Sequence, residues 1–146
     1  MSFRELTVWR EAIELVVDSY RFADTLPPAE RFGLVAQVKR CATSIPANIA
    51  EGHSRKHPKV FLNHVYIALG SEAELATHIH VAERLGFCLN DQTIAISRRR
   101  EHVGRMLNRL AAALKRKVES EAKRARSPEP LTPGPRSLEP RRGRQL

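Results

Sequence analysis

Residues 29–52 read AERFGLVAQVKRCATSIPANIAEG. Leu34, Val38, Cys41, Ile45 and Ile49 recur at intervals of three and four, which places them on one stripe of an α-helix. Beside that stripe runs a polar line of Gln37, Arg40, Ser44, Asn48 and Glu51. The rest of the circumference is mostly small, with Ala36, Thr43, Ala47 and Ala50. Between Gly33 and Ala50 the only charges are Lys39 and Arg40. A helix with so little solvated surface is buried on several sides. In a small domain that points to a neighbouring subunit against Thr43, Ala47 and Ala50. Pro46 lacks an N–H and is expected to bend the helix and free the Ala42 carbonyl. Gly52 reads as the stop of this helix.

Three further helices follow from the flanking sequence. In residues 4–23, Leu6, Trp9, Ile13, Val16, Val17 and Tyr20 share one face and are expected to face the core. Val8, Leu15 and Phe22 form a second apolar line at intervals of seven. That line exceeds what one bundle needs and is expected to meet another copy of the chain. Leu26-Pro27-Pro28 ends the helix. The third helix is expected from Pro58, a favourable first-turn residue, to near Gly86. Its stripe of Phe61, Val65, Ala68, Leu75, Ile79 and Ala82 is interrupted by Glu72. The fourth starts after Asn90 or Asp91, both good N-caps, on a stripe of Ile96, Val103, Leu107, Leu110 and Leu114. Beyond Leu114 the apolar pattern thins, and Lys115–Glu119, Lys117–Glu121 and Glu119–Lys123 offer ion pairs one turn apart. Short connections favour antiparallel neighbours, so the expected fold is all-α: an antiparallel up-down-up-down four-helix bundle over residues 1–126. Residues 127–146 hold five of the nine prolines and no periodicity. They read as a disordered basic tail.

Composition narrows the class. The hydrophobic share is 42% and the aromatic share 5%, so the core rests on aliphatic residues. Cys41 and Cys88 have no ligand-like spacing and lie far apart, which argues against a disulfide framework or a zinc site and for a reducing compartment. No signal peptide is expected from the charged start Met1-Ser2-Phe3-Arg4-Glu5, nor any membrane span, so the expected location is cytoplasmic. The net charge is +9, and none of the excess lies in residues 1–89, which hold ten basic and ten acidic side chains. Residues 90–126 hold eleven basic against four acidic. Such a basic block is the footprint of a polyanion binder, although a solvated helix rich in Lys and Arg looks the same.

Particular residues of these helices resemble a known family. Leu6-Thr7-Val8-Trp9 with Ala12, then Gln37, Arg40, Ser44-Ile45-Pro46-Ala47-Asn48-Ile49-Ala50-Glu51-Gly52 and Arg55, then Phe61, Ala68, Gly70-Ser71 and Glu74-Leu75 resemble the four-helix-bundle proteins encoded in intervening sequences of bacterial 23S ribosomal RNA genes. The resemblance covers about residues 3–115 and leaves the tail outside it. Cys41 stands where the family more usually has alanine. The resemblance implies an antiparallel bundle that assembles as a homopentamer, and it implies no settled biochemical function. A structurally similar accessory protein of diversity-generating retroelements binds a reverse transcriptase and nucleic acid, which keeps RNA and DNA in view by analogy of fold.

No nucleophile with its base, phosphate loop or metal cluster is legible, so no enzymatic activity, cofactor or metal is expected. His53 and His57 have ligand-like spacing but lie around a loop between Gly52 and Pro58, and His78 and His80 point to different faces. The candidate nucleic-acid-binding residues are Arg98, Arg99, Arg100, Arg105, Arg109, Lys115, Arg116 and Lys117. No aromatic stacking platform accompanies them, so base-specific readout is not expected. Arg40, Ser44, Asn48 and Glu51, with Ser71, Glu72 and Glu74 opposite, form either a hydrogen-bonded network fixing helix register or a ligand site between helices. Two functions follow from different classes. One is an oligomeric protein that associates with RNA or DNA through its fourth helix. The other is an adaptor for a protein partner, in which the charge serves solubility.

Overall fold

A computed structural model describes residues 1–87, 90–128, 130, 132–136 and 143. The described residues form four α-helices: α1 (Thr7–Asp24), α2 (Leu34–Ser54), α3 (Pro58–Arg84) and α4 (Asp91–Arg126). Each helix packs against its neighbours in the chain, and α1 closes the square against α4. The arrangement is the up-down four-helix bundle expected from the sequence, and no strand occurs among the described residues. Past Arg126 those residues carry no helix, and Cys88 lies outside them, as do most of residues 137–146.

On α1 the two apolar lines exchange the roles expected of them. Val8, Leu15 and Phe22 are buried in the core with Ala12 and Ser19. They are therefore not an interface between copies. Trp9 and Val16 are half-buried beside the core, while Val17 and Tyr20 are exposed. Residues 8, 12, 15, 19 and 22 step by four and three, which is the a/d seam of a bundle helix. The seam is hard to read because Ala12 and Ser19 occupy two of its places. Small residues there let α1 approach closely, and the Ser19 hydroxyl satisfies itself by donating to the Leu15 carbonyl at 2.6 Å.

The other differences concern helix ends. A short 3-10 turn at Pro28–Glu30 precedes α2, and the Glu30 carboxylate accepts from the Leu34 N–H at 3.1 Å, so α2 begins at Leu34, the first residue of its apolar stripe. Gly52 does not stop α2, which runs on to Ser54. A Cβ at Gly52 would lie 2.6 Å from the Cβ of His64 and 2.9 Å from the Phe61 ring, so this glycine allows α2 and α3 to touch. Gly86 is a true stop: at φ +75° it closes α3 with the Phe87 N–H on the Ala82 carbonyl and its own N–H on that of Glu83. Asn90 caps α4 by accepting from the Thr93 N–H at 3.1 Å. Pro46 is buried within a continuous α2.

Candidate functional site

The fourth helix carries its arginines in two different states. Arg99 reaches α1, donating to Asp18 at 2.8 Å and to Glu11 at 2.9 Å. The hydrogen bond to Asp18, and then that to Glu11, hold the Arg99 guanidinium above its ordinary pKa against the opposing effect of burial. Arg100 reaches α3 and donates to Glu72 at 2.5 Å. Glu72 interrupts the α3 stripe, and Arg100 fills the matching place between Ile96 and Val103 on α4, so two charges occupy opposed core positions and satisfy each other. Their side chains are 14% and 21% exposed. A Cβ at Gly104 would meet the Glu72 carboxyl at 3.4 Å, an ordinary contact, so the pair packs over this buried glycine without requiring it. Arg99 and Arg100 are thus bundle ion pairs and not free phosphate ligands, which corrects the expectation drawn from the run of three arginines.

Arg98 points the other way. At 100° per residue, Arg98, Arg105, Arg109, Arg116 and Lys123 fall within an arc of about 40°, opposite the buried stripe, along roughly 37 Å of helix. All five are exposed. Among the described residues none of them lies within ion-pair distance of a carboxylate, and neither do Lys115 and Lys117, which flank the line. The pairs expected at Lys115–Glu119, Lys117–Glu121 and Glu119–Lys123 do not close, so among the described residues this end of α4 keeps its cations free. Val118 is the last residue of α4 that is even half-buried, and from Glu119 to Arg126 every side chain is exposed.

The polar line of α2 forms a seam with α3. The hydroxyls of Ser44 and Ser71 share a hydrogen bond of 2.8 Å. Asn48 donates to the Ser44 carbonyl at 2.8 Å, and its Oδ1 meets His64 Nδ1 at 3.1 Å. Arg40 donates to Glu74 and, at 2.8 Å, to Gln37. Two of the seven residues expected here do not join. Glu51 is exposed and pairs only with Arg55, one turn on, at 3.3 Å; Glu72 serves the α3–α4 contact. The helix pattern did not point to His64, although a half-buried Asn48 amide gains from a partner across the seam.

At the Arg40 end of this seam the buried Cys41 thiol lies beside Glu74 and His78, and the candidate donor atoms of all three are within 4.8 Å of one another. Burial first, and then the adjacent Glu74 carboxylate, push the Cys41 thiol up to about 11. The neighbouring thiol first, and then Arg40, hold the Glu74 carboxyl below its ordinary range against the opposing effect of burial. Elsewhere an open recess of about 700 Å³ lies at one end of the bundle, lined by Phe3, Leu6, His53, His57, Phe61 and Lys117. There His53 packs edge-on against Phe61 with ring centroids 5.7 Å apart, so its role is packing. On the outer face of α2, Thr43 and Ala47 are exposed and Ala50 is half-buried. Among the described residues no helix is long and apolar enough to cross a membrane.

Comparison with known proteins agrees with this architecture. The family model described as 23S rRNA-intervening sequence protein matches residues 4–109. Among solved structures, a protein of unknown function from the S23 ribosomal protein family of Bacteroides thetaiotaomicron is 23% identical. That match covers 72% of this chain and 98% of the other, with a TM-score of 0.66, and it speaks to the fold alone. No curated protein matches.

Proposed function

The chain belongs to the 23S rRNA-intervening sequence protein family, and from that premise we propose that it is a non-enzymatic, self-associating bundle that holds nucleic-acid phosphates along the outer face of α4. The observation that carries this reading is the uncompensated line Arg98, Arg105, Arg109, Arg116 and Lys123. Basic residues that face the bundle, Arg99 and Arg100, are neutralised by carboxylates, so the surplus charge is concentrated on the free face. Cations on one straight line suit a phosphate backbone, and the lack of an exposed aromatic platform beside them suits binding without base readout.

Self-association is the second element of the proposal. Val17 and Tyr20 of α1 and the small face of α2 at Ala36, Thr43 and Ala47 are exposed, with the Lys39 ammonium 4.7 Å from the centre of the Tyr20 ring as the charge between them, and such a face suits another copy of the chain. A homo-oligomer, with a pentamer as its expected form, would repeat the α4 line and multiply weak contacts through effective concentration. Ala47→Glu should then reduce the particle size measured by light scattering more than Glu14→Ala does.

The nucleic-acid reading is tested by electrophoretic titration of RNA and duplex DNA at several salt concentrations. Log affinity should fall with log salt by roughly 0.7–0.9 for each phosphate contacted. Replacing Arg105, Arg109 and Arg116 by Glu should flatten that slope with helicity unchanged. Loss of affinity without a change in slope, or no binding at low salt, would favour the adaptor reading. Exposed Tyr66 and Ile67 on α3 are the surface that a protein partner would use in that case.

A further inference from the structure

We propose that Cys41 of α2 with Glu74 and His78 of α3 forms an open three-ligand site for a zinc-like divalent transition metal, clamping the two helices together. The three residues offer the mixed sulfur, imidazole and carboxylate donors that zinc accepts in sites with a remaining open position. Glu74 and His78 are one helical turn apart and therefore share a face, and Cys41 comes from the facing helix. Ligand atoms in a tetrahedral zinc site stand roughly 3.6 Å apart for the usual bond lengths. His78 Nε2 and Glu74 Oε1 are already 3.5 Å apart. All three donors lie within 4.8 Å, so small rotamer shifts would complete the set.

The independent sign of a missing ligand is His78. Its Nε2 is shielded from solvent and has no hydrogen-bond partner among the described residues. The 3.5 Å approach of Glu74 is an ion-pair distance for a protonated ring, not a hydrogen bond. Buried polar atoms are seldom left so, and a metal is one of the few partners that fits an imidazole nitrogen, a thiol and a carboxylate at once. A cation already stands at the edge of the cluster. The Arg40 guanidinium pairs with Glu74 and lies 3.8 Å from Cys41 Sγ. Arg40 is 57% exposed and also holds Gln37, so it can release Glu74 and keep its other hydrogen bonds. On binding, the thiol proton leaves to solvent and the resulting thiolate ligates the metal. His78 binds through neutral Nε2 with its proton on Nδ1, Glu74 binds as carboxylate, and water takes the open place.

The test uses the full chain carrying Cys88→Ser, so that Cys41 is the sole thiol. Cobalt(II) should bind once per chain with a thiolate-to-metal charge-transfer band and the strong visible bands of four-coordination, and zinc(II) should abolish both. The band should vanish in His78→Ala, and Arg40→Gln should tighten binding by removing the competing cation. Because substitution in the seam can unsettle the fold, a second measurement keeps all three ligands in place. Zinc should slow alkylation of Cys41 at least tenfold, and a chelator should restore the rate. Cobalt that binds without a thiolate band, or an alkylation rate indifferent to saturating zinc, would overturn the proposal.

Discussion

Arg99 and Arg116 are the same residue on the same helix, yet they do opposite things. Within the bundle, α4 faces Glu11 and Asp18 of α1 and Glu72 of α3, and its inward arginines become ion pairs that join helices. Arg116, like Arg98, Arg105 and Arg109, lies on the outer face of α4, away from the other helices, and past Val118 every side chain is exposed. In both places no carboxylate among the described residues comes within ion-pair distance, and the cations stay free. The difference teaches that a basic run has no single role. What matters is the element across from each turn of the helix, and two arginines adjacent in sequence point about 100° apart.

Arg99→Glu should have the largest effect on that comparison. It places a third carboxylate against Glu11 and Asp18, and Asp18 is only 11% exposed. Breaking a fully buried pair costs about 3–5 kcal/mol. Arg99 is one-third exposed, so roughly 2–3 kcal/mol is expected once solvent screening is allowed for, read as a drop in denaturant midpoint. Arg98→Glu, one residue away on the free face, should stay within about 0.5 kcal/mol. If the two variants were equally stable, the division of α4 into paired and free arginines would be wrong.

A second contrast lies along α2. Gly52→Ala should destabilise by about 1–3 kcal/mol, because its methyl would overlap His64 and Phe61 and part α2 from α3. Glu51→Ala, its neighbour, should change stability by no more than about 0.5 kcal/mol, since an exposed pair one turn apart contributes little. Thermal melts of the two variants separate a close contact between helices from a solvated charge.

The mildest effect concerns the Cys41 thiol, studied with a chelator present. Its folded pKa is raised to about 11, whereas an unfolded cysteine titrates near about 8.5. The proton is held more tightly in the folded chain, so the stabilisation is fully present below about 8.5 and is lost as pH rises towards the folded value. The melting temperature should decline across that alkaline window, and Cys41→Ala should flatten the decline.

By itself the sequence determined the four helices, their order and their antiparallel packing, because apolar spacing of three and four and the breakers at Pro27-Pro28, Pro58 and Gly86 act locally along the chain. It also located the surplus charge on α4 and showed, at Glu72, that one core place held a carboxylate. It could not rotate α1 correctly, since the seam through Ala12 and Ser19 is less apolar than the Trp9–Tyr20 face and only the close approach of neighbouring helices selects it. The partners of Arg99, Arg100 and Glu72 likewise waited for the tertiary structure, as did His64 against Asn48 and the meeting of Cys41 with Glu74 and His78. Those pairings join residues 16 to 88 positions apart, and no local spacing rule reaches across helices whose relative rotation is fixed only when their side chains pack.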